Sequence, residues 1–372
     1  MVKEKIMNRK VLSRDKILVI VTGAVIALAA ALLTHLGNPK NMGFCIACFI
    51  RDMAGGMKFH QAGVVQYMRP EIIGLVLGSF IVALIRGEFK PKSGSSPVTR
   101  FVLGAIVMIC ALVFLGCPLR MFIRLGGGDM NALIALLGFI FGIYIGTVYL
   151  KKGYSLGRAE KKHLVEGGIA PGIQVLLLVL VIAVPSLFVY SQKGPGSMHA
   201  PLIASLIVAA VVGALCQLSR LCTAGGIRDL FLTKDPTLIL GPITLLVVLT
   251  IINLATGSYN FGFNGQPVAH SDHIWNFLSF VAVGLGSVML GGCPLRQLIL
   301  AGEGNGDSFI SVLGMFTGAA ISHNFGLAGA AASATSKGGA SMGGKIVVVL
   351  SLVFLVAHGI YIANRNQKGV KA

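Results

Sequence analysis

Two identical strings, Gly-Cys-Pro-Leu-Arg at 116–120 and again at 292–296, concentrate the chemistry of this chain. Proline suits the first position of a helix, where its missing N–H costs nothing, so each string predicts a helix N-cap at the cysteine, Cys117 or Cys293. A thiol there meets the positive helix end and has an arginine, Arg120 or Arg296, three residues on. Both features favour a thiolate and attract anions. A looser pair accompanies them: Cys45 stands six residues before Arg51-Asp52, and Cys222 six before Arg228-Asp229. The candidate substrate-binding residues are therefore Cys45, Cys117, Cys222, Cys293, Arg120, Arg296, Arg51 and Arg228. Cys48 joins them through its C-x-x-C spacing with Cys45, although its repeat position is Gly225. Cys110 and Cys216 have no counterparts and are expected to be packing residues.

The two pairs belong to one longer pattern. Cys45 and Cys117 are 72 residues apart, Cys222 and Cys293 are 71 apart, and the match runs on through Gly126/Gly302, Gly128/Gly304, Gly138/Gly314 and Gly142/Gly318. This is a duplication with a period of 176–177 residues. The glycines after each Cys-Pro-Leu-Arg allow tight turns, so each string predicts a short helix that enters the membrane and turns back, with Cys117 and Cys293 approaching each other at a constriction.

The elements that must position these residues are membrane spans. Of the 372 residues 55% are hydrophobic and 12% charged, with a mean hydropathy of +0.83. Soluble domains carry about a quarter charged residues, so a soluble enzyme is excluded. Apolar runs at 17–37, 71–89, 98–115, 131–150, 171–190, 200–216, 237–256, 273–291, 308–327 and 345–363 predict about ten transmembrane helices. The fold class is thus an all-α polytopic membrane protein with re-entrant cysteine-bearing loops.

Counting lysine and arginine on alternate sides puts 22 of the 31 on the side of both termini, which predicts cytoplasmic N- and C-termini. The net charge of +18 is accordingly read as cytoplasmic loops and not as a nucleic-acid surface. Lys3, Lys5, Arg9, Lys10 and Arg14 precede a span-length run without a small-residue cleavage site, which predicts a retained first helix. Copy one uses spans 1 to 4 and copy two spans 6 to 9; an odd offset inverts the second copy in the membrane. The expected divisions are a cytoplasmic tail at 1–15, repeat 1 at 16–150, a basic linker and connecting span at 151–199, inverted repeat 2 at 200–330, and a final span with its tail at 331–372. The 13 acidic residues fall in loops, tails or span ends, so no intramembrane carboxylate is expected.

These motifs resemble the YeeE/YedE family of sulfur-compound transporters, most of all its selenium-associated YedE branch. The resemblance is carried by Gly-Gly-Cys-Pro-Leu-Arg-Gln at 291–297, Ala-Gly-Glu-Gly-Asn at 301–305, the string at 116–120 and the Cys45 and Cys222 loops, and covers about residues 16–330. It implies an hourglass-shaped protein of the bacterial inner membrane that takes up thiosulfate or a selenium oxyanion, passed along by transient S–H···S contacts of Cys45, Cys117 and Cys293 with Cys222 on the inner side. It implies no enzymatic step, cofactor or metal. The implied partners are the small inorganic sulfur or selenium anion, the lipid bilayer and a cytoplasmic sulfur- or selenium-carrier protein. A competing reading is a membrane thiol-disulfide oxidoreductase working through Cys45-x-x-Cys48; a third, a thiolate-based metal exporter, is opposed by the arginines beside the cysteines.

Overall fold

The computed structural model describes residues 13–371, so Lys3, Lys5, Arg9 and Lys10 and most of the tail at 1–15 lie outside the described residues. Ten helices coincide with the ten apolar runs: α1 (Arg14–His35), α3 (Pro70–Ile85), α4 (Pro97–Val113), α6 (Asn131–Lys151), α7 (Leu164–Ala183), α8 (Leu202–Ser219), α10 (Leu240–Ala255), α11 (His273–Leu290), α13 (Gly306–Asn324) and α14 (Met342–Lys371). Four short helices stand between them: α2 (Ile46–Gly56), α5 (Pro118–Gly126), α9 (Thr223–Leu232) and α12 (Pro294–Gly302). Sheet among the described residues is limited to a two-residue antiparallel ladder of Lys92–Ser93 with Glu160–Lys161.

Among the described residues, seven segments are long and apolar enough to cross a membrane: α1, α4 continued by α5, α6, α7, α8 continued by α9, α11 continued by α12, and α14. The helices α3 and α10 are apolar but shorter. On α13 the apolar run is interrupted by Asp307, Ser308, Ser311 and Ser322, all buried within the protein. The fifth run, expected at 171–190, forms a helix seven residues earlier. His163 starts it, its ring accepting from the Val165 N–H at 3.4 Å, and Pro171 is tolerated inside. Its end comes at Val184, because the residue before Pro185 is driven out of the helical region.

Burial separates the centre from the rim. Within the most apolar window of each segment, 83% of Pro97–Gly126 and 89% of His273–Gly302 is buried, against 28% for both α7 and α14. The two segments bearing Cys117 and Cys293 therefore lie at the heart of the bundle. The principal contacts are α6 with α11, α4 with α13, α3 with α8, α1 with α10, and α4 with α11.

Glycine sets the closest of these contacts. A Cβ on Gly314 would lie 2.1 Å from the Phe101 carbonyl oxygen, and one on Gly138 would lie 2.2 Å from that of Phe277. Rigid backbone cannot yield as a side chain would, so Gly314→Ala is expected to destabilise by about 1–3 kcal/mol through forced separation of α4 and α13. Gly168→Ala, where nothing lies within 4 Å, should be neutral or slightly stabilising. Thermal unfolding in detergent compares the two, and equal midpoints would refute the packing argument.

Candidate functional site

The four paired cysteines cap the four short helices. Cys45 precedes α2, Cys117 precedes α5, Cys222 precedes α9 and Cys293 precedes α12, each in extended backbone. In α5 and α12 the proline occupies N1 as the sequence predicts, and both helices run nine residues. Each then turns back through a glycine at positive φ, Gly128 (92°) or Gly304 (88°), where a side chain would be strained. In α2 and α9 the sulfur does the capping itself: Cys45 Sγ accepts from Cys48 N–H at 3.3 Å and Cys222 Sγ from Gly225 N–H at 3.2 Å.

The helix ends meet in pairs. Cys117 neighbours Cys45, its sulfur beside the backbone N–H groups of Arg120 and Ala47. Cys293 neighbours Cys222, with its own N–H donating to Cys222 Sγ at 3.4 Å and its sulfur beside Thr223 and the Arg296 N–H. Each pair thus offers two thiols at two converging helix N-termini, an arrangement suited to an anion. Each of these contacts lies within one half of the duplicated sequence. All seven cysteines are reduced and buried; exposure is 0% at Cys45 and Cys48, 1% at Cys117 and Cys293, and 5% at Cys222.

The arginines differ between the halves. Arg120 is fully buried, donating to the carbonyls of Asn41 (2.8 Å), Val268 (3.2 Å) and Leu115 and to Cys48 Sγ (3.6 Å). None of these four partners is a carboxylate. The contact also brings Cys48 into the first-half site, where its thiol reaches the Leu115 carbonyl at 3.6 Å. Arg296 instead pairs with Glu303 at 3.0 Å, and Glu303 continues to Arg220 and on to Glu88. The amide of Gln217, donating to Glu88 at 2.6 Å, holds that loop carboxyl below its ordinary range.

Arg51 is buried against Asp52 (2.7 Å), which also binds Arg69 (2.8 Å). Arg228 pairs with Asp229 at 2.7 Å and is 27% exposed. Cys110 packs inside α4. Cys216, also expected to pack, is buried on α8 within electrostatic reach of Arg296 and Cys293.

Several site residues escaped sequence reasoning. Asn41, Arg69, Gln217 and Thr223 carry no motif. Glu303 had a readable signal, since seven residues after Arg296 is two helical turns on the same face.

A cavity of about 570 Å³ adjoins the first-half site, lined among others by Ala30, Thr34, Lys40, Asn41, Asn253 and Tyr259. It reaches toward the thiols through its wall: Ala30 and Thr34 abut Gly43, two residues before Cys45, and the Asn41 carbonyl holds Arg120.

Substitution by lysine should separate the two arginines. Three ammonium donors on a flexible stem cannot reproduce the fork of Arg120, so Arg120→Lys is expected to orphan at least one buried acceptor and destabilise by about 1–3 kcal/mol. Arg296→Lys keeps its single ion pair and should change stability by less than about 1 kcal/mol. Equal shifts in thermal unfolding would contradict this distinction.

No curated protein matches the chain. Residues 218–371, which include Cys222, Arg228, Cys293 and Arg296, match a family model described as Sulphur transport. With seven apolar helices of spanning length, this similarity fits a multi-pass membrane protein that transports a sulfur compound.

Proposed function

We propose that the chain imports a small sulfur- or selenium-containing oxyanion, such as thiosulfate or a selenium oxyanion, across the bacterial inner membrane. The observation that carries this reading is the pair of buried double-thiol sites, each at two helix N-termini and each with an arginine three residues beyond a Cys-Pro. Arginine and helix ends replace water around the anionic oxygens. Thiols donate to the soft terminal chalcogen, which a hard donor set would not favour. Cys45, Cys48, Cys117 and Arg120 form the outer station, Cys222, Cys293 and Arg296 the inner one, and the 570 Å³ cavity is the outer approach. Arg51 and Arg228 support the loops that bear these residues.

The reading includes ten spans, cytoplasmic termini and two inverted repeats, at 16–150 and 200–330, joined by 151–199 and followed by 331–372. The packing supports the repeats. Exchanging each helix for its counterpart (α1 with α8, α2 with α9, α3 with α10, α4 with α11, α5 with α12, α6 with α13) turns the α6–α11 contact into α13–α4 and α3–α8 into α10–α1. A twofold axis in the membrane plane between α4 and α11 accounts for both, and an hourglass shape follows from inverted vestibules meeting at the thiols. A cytoplasmic sulfur- or selenium-carrier protein would receive the anion.

The oxidoreductase reading is not favoured. Cys45 and Cys48 are wholly buried, leaving no sulfur for a thioredoxin-like partner to attack, and that chemistry gives the Cys222 and Cys293 site no task.

Uptake of radiolabelled thiosulfate and of selenite by cells lacking their own transporter tests the proposal. Expression of this chain should restore uptake of one anion and growth on it as sole sulfur or selenium source. Restoration of neither would overturn the reading.

A further inference from the structure

We propose that Glu71 is the proton-exchanging site that couples anion uptake to the inward movement of protons, an inference that rests on the transport reading above. The sequence places Glu71 at the start of a span, and the structure encloses it completely: it lies in the first turn of α3 with 0% exposure. One oxygen, Oε1, accepts from the Asn38 amide at 2.9 Å and from the Ser205 hydroxyl at 3.3 Å. The other, Oε2, is buried without a hydrogen-bond partner among the described residues. No cation among the described residues is bonded to either oxygen. Oε2 is therefore the free position on this carboxyl at which a proton can be exchanged.

The groups around Glu71 give protonation a consequence. Asn38 links it to Arg69, accepting from the guanidinium at 3.4 Å, and Arg69 shares Asp52 with Arg51. Arg51 lies one turn past Cys48 on α2. The remaining titratable groups facing this corner are Tyr67, Tyr190 and His199, the last stacked on Tyr67 at 4.1 Å, with His60, whose ring meets the Arg51 carbonyl at 3.0 Å, and His323 beside it at the Arg51–Asp52 end.

Two arginines, Asp52 and an ionised Glu71 sum to zero charge. When Glu71 takes a proton the cluster becomes +1, which balances one of the two charges of a thiosulfate dianion arriving beside Cys48 and Arg51; Arg120, with no carboxylate among its partners, faces the other. When the anion departs, the proton is released from Glu71 and the cluster returns to zero. One proton thus accompanies each anion. This offsets part of the cost of moving a dianion into a cell that is negative inside.

The test uses the full chain in proteoliposomes, with labelled thiosulfate as probe and the membrane potential clamped at zero. An inside-alkaline gradient of about one pH unit should drive about tenfold accumulation by the wild type at one proton per anion. Glu71→Gln keeps an acceptor for Asn38 and Ser205 but cannot exchange a proton. It should still exchange labelled for unlabelled thiosulfate, yet bring the inside concentration only level with the outside at every pH gradient. Gradient-driven accumulation by Glu71→Gln, or loss of exchange as well as accumulation, would overturn the coupling role. Wild-type uptake insensitive to the pH gradient would overturn the coupling and leave the sulfur-anion reading standing. No wild-type transport of thiosulfate or selenite under any gradient would overturn both.

Discussion

Serine at position 117 or 293 is expected to reduce thiosulfate uptake to the level of cells without the protein, at unchanged amounts in the membrane. The hydroxyl keeps a hydrogen-bond donor of similar size, so Cys117 and Cys293 can lose their chemistry without leaving a gross cavity at the N-termini of α5 and α12. What disappears is the polarisable sulfur and access to a thiolate, the two properties that match a soft chalcogen. Cys110→Ser supplies the control, because Cys110 is equally buried but lies in the last turn of α4, where its side-chain neighbour is Ser351 and not a cysteine of the paired sites. That variant should transport normally. Full transport by the double variant Cys117→Ser, Cys293→Ser would remove the thiol mechanism.

The largest effect on stability should come from Asp129→Ala. Asp129 receives Arg124 Nε at 2.6 Å, and both side chains have no exposure. It also accepts from the Asn131 backbone and side-chain amides at 3.0 and 2.9 Å. Removing one member of a fully buried pair leaves the other charged and enclosed, which costs about 3–5 kcal/mol. Arg124 would keep only the Phe114 carbonyl at 2.9 Å and the Phe114 ring at 4.0 Å. Asp229→Ala breaks a pair of the same chemistry that is 27% and 19% exposed, and should cost less than about 1 kcal/mol. Thermal unfolding of both variants in detergent measures the contrast; equal destabilisation would show that burial does not control these pairs.

The parts of this site written in local spacing were legible, and those made by distant segments were not. Cys-Pro-Leu-Arg announces an N-cap, a first-turn proline and an arginine one turn on, and both copies fold so. The partner of each thiol is set by how α2 meets α5 and α9 meets α12, and no spacing rule indicates this. The duplicated arginines read alike, yet Glu303 neutralises Arg296, whereas the residue 176 positions earlier, Gly127, has no charge to offer Arg120. Glu71 sits at a span end as its position suggests. Its burial comes from Asn38 and Ser205, which approach from other parts of the chain. Hydropathy located all ten apolar helices but misplaced the fifth by seven residues, because Glu166, Gly167 and Gly168 carry no hydropathy signal and are accommodated inside α7.

The near-zero exposure of the five sulfur atoms at positions 45, 48, 117, 222 and 293 also bears on what the protein must not do. Water scarcely reaches them, so on the transport reading the resting protein is a plug as well as a path. A standing anion-conducting hole would let chloride drain the membrane potential that powers the cell. If the thiols proposed to recognise the cargo also close its route, admission and recognition become a single event. Smaller side chains at those positions would then create a chloride leak in addition to losing thiosulfate.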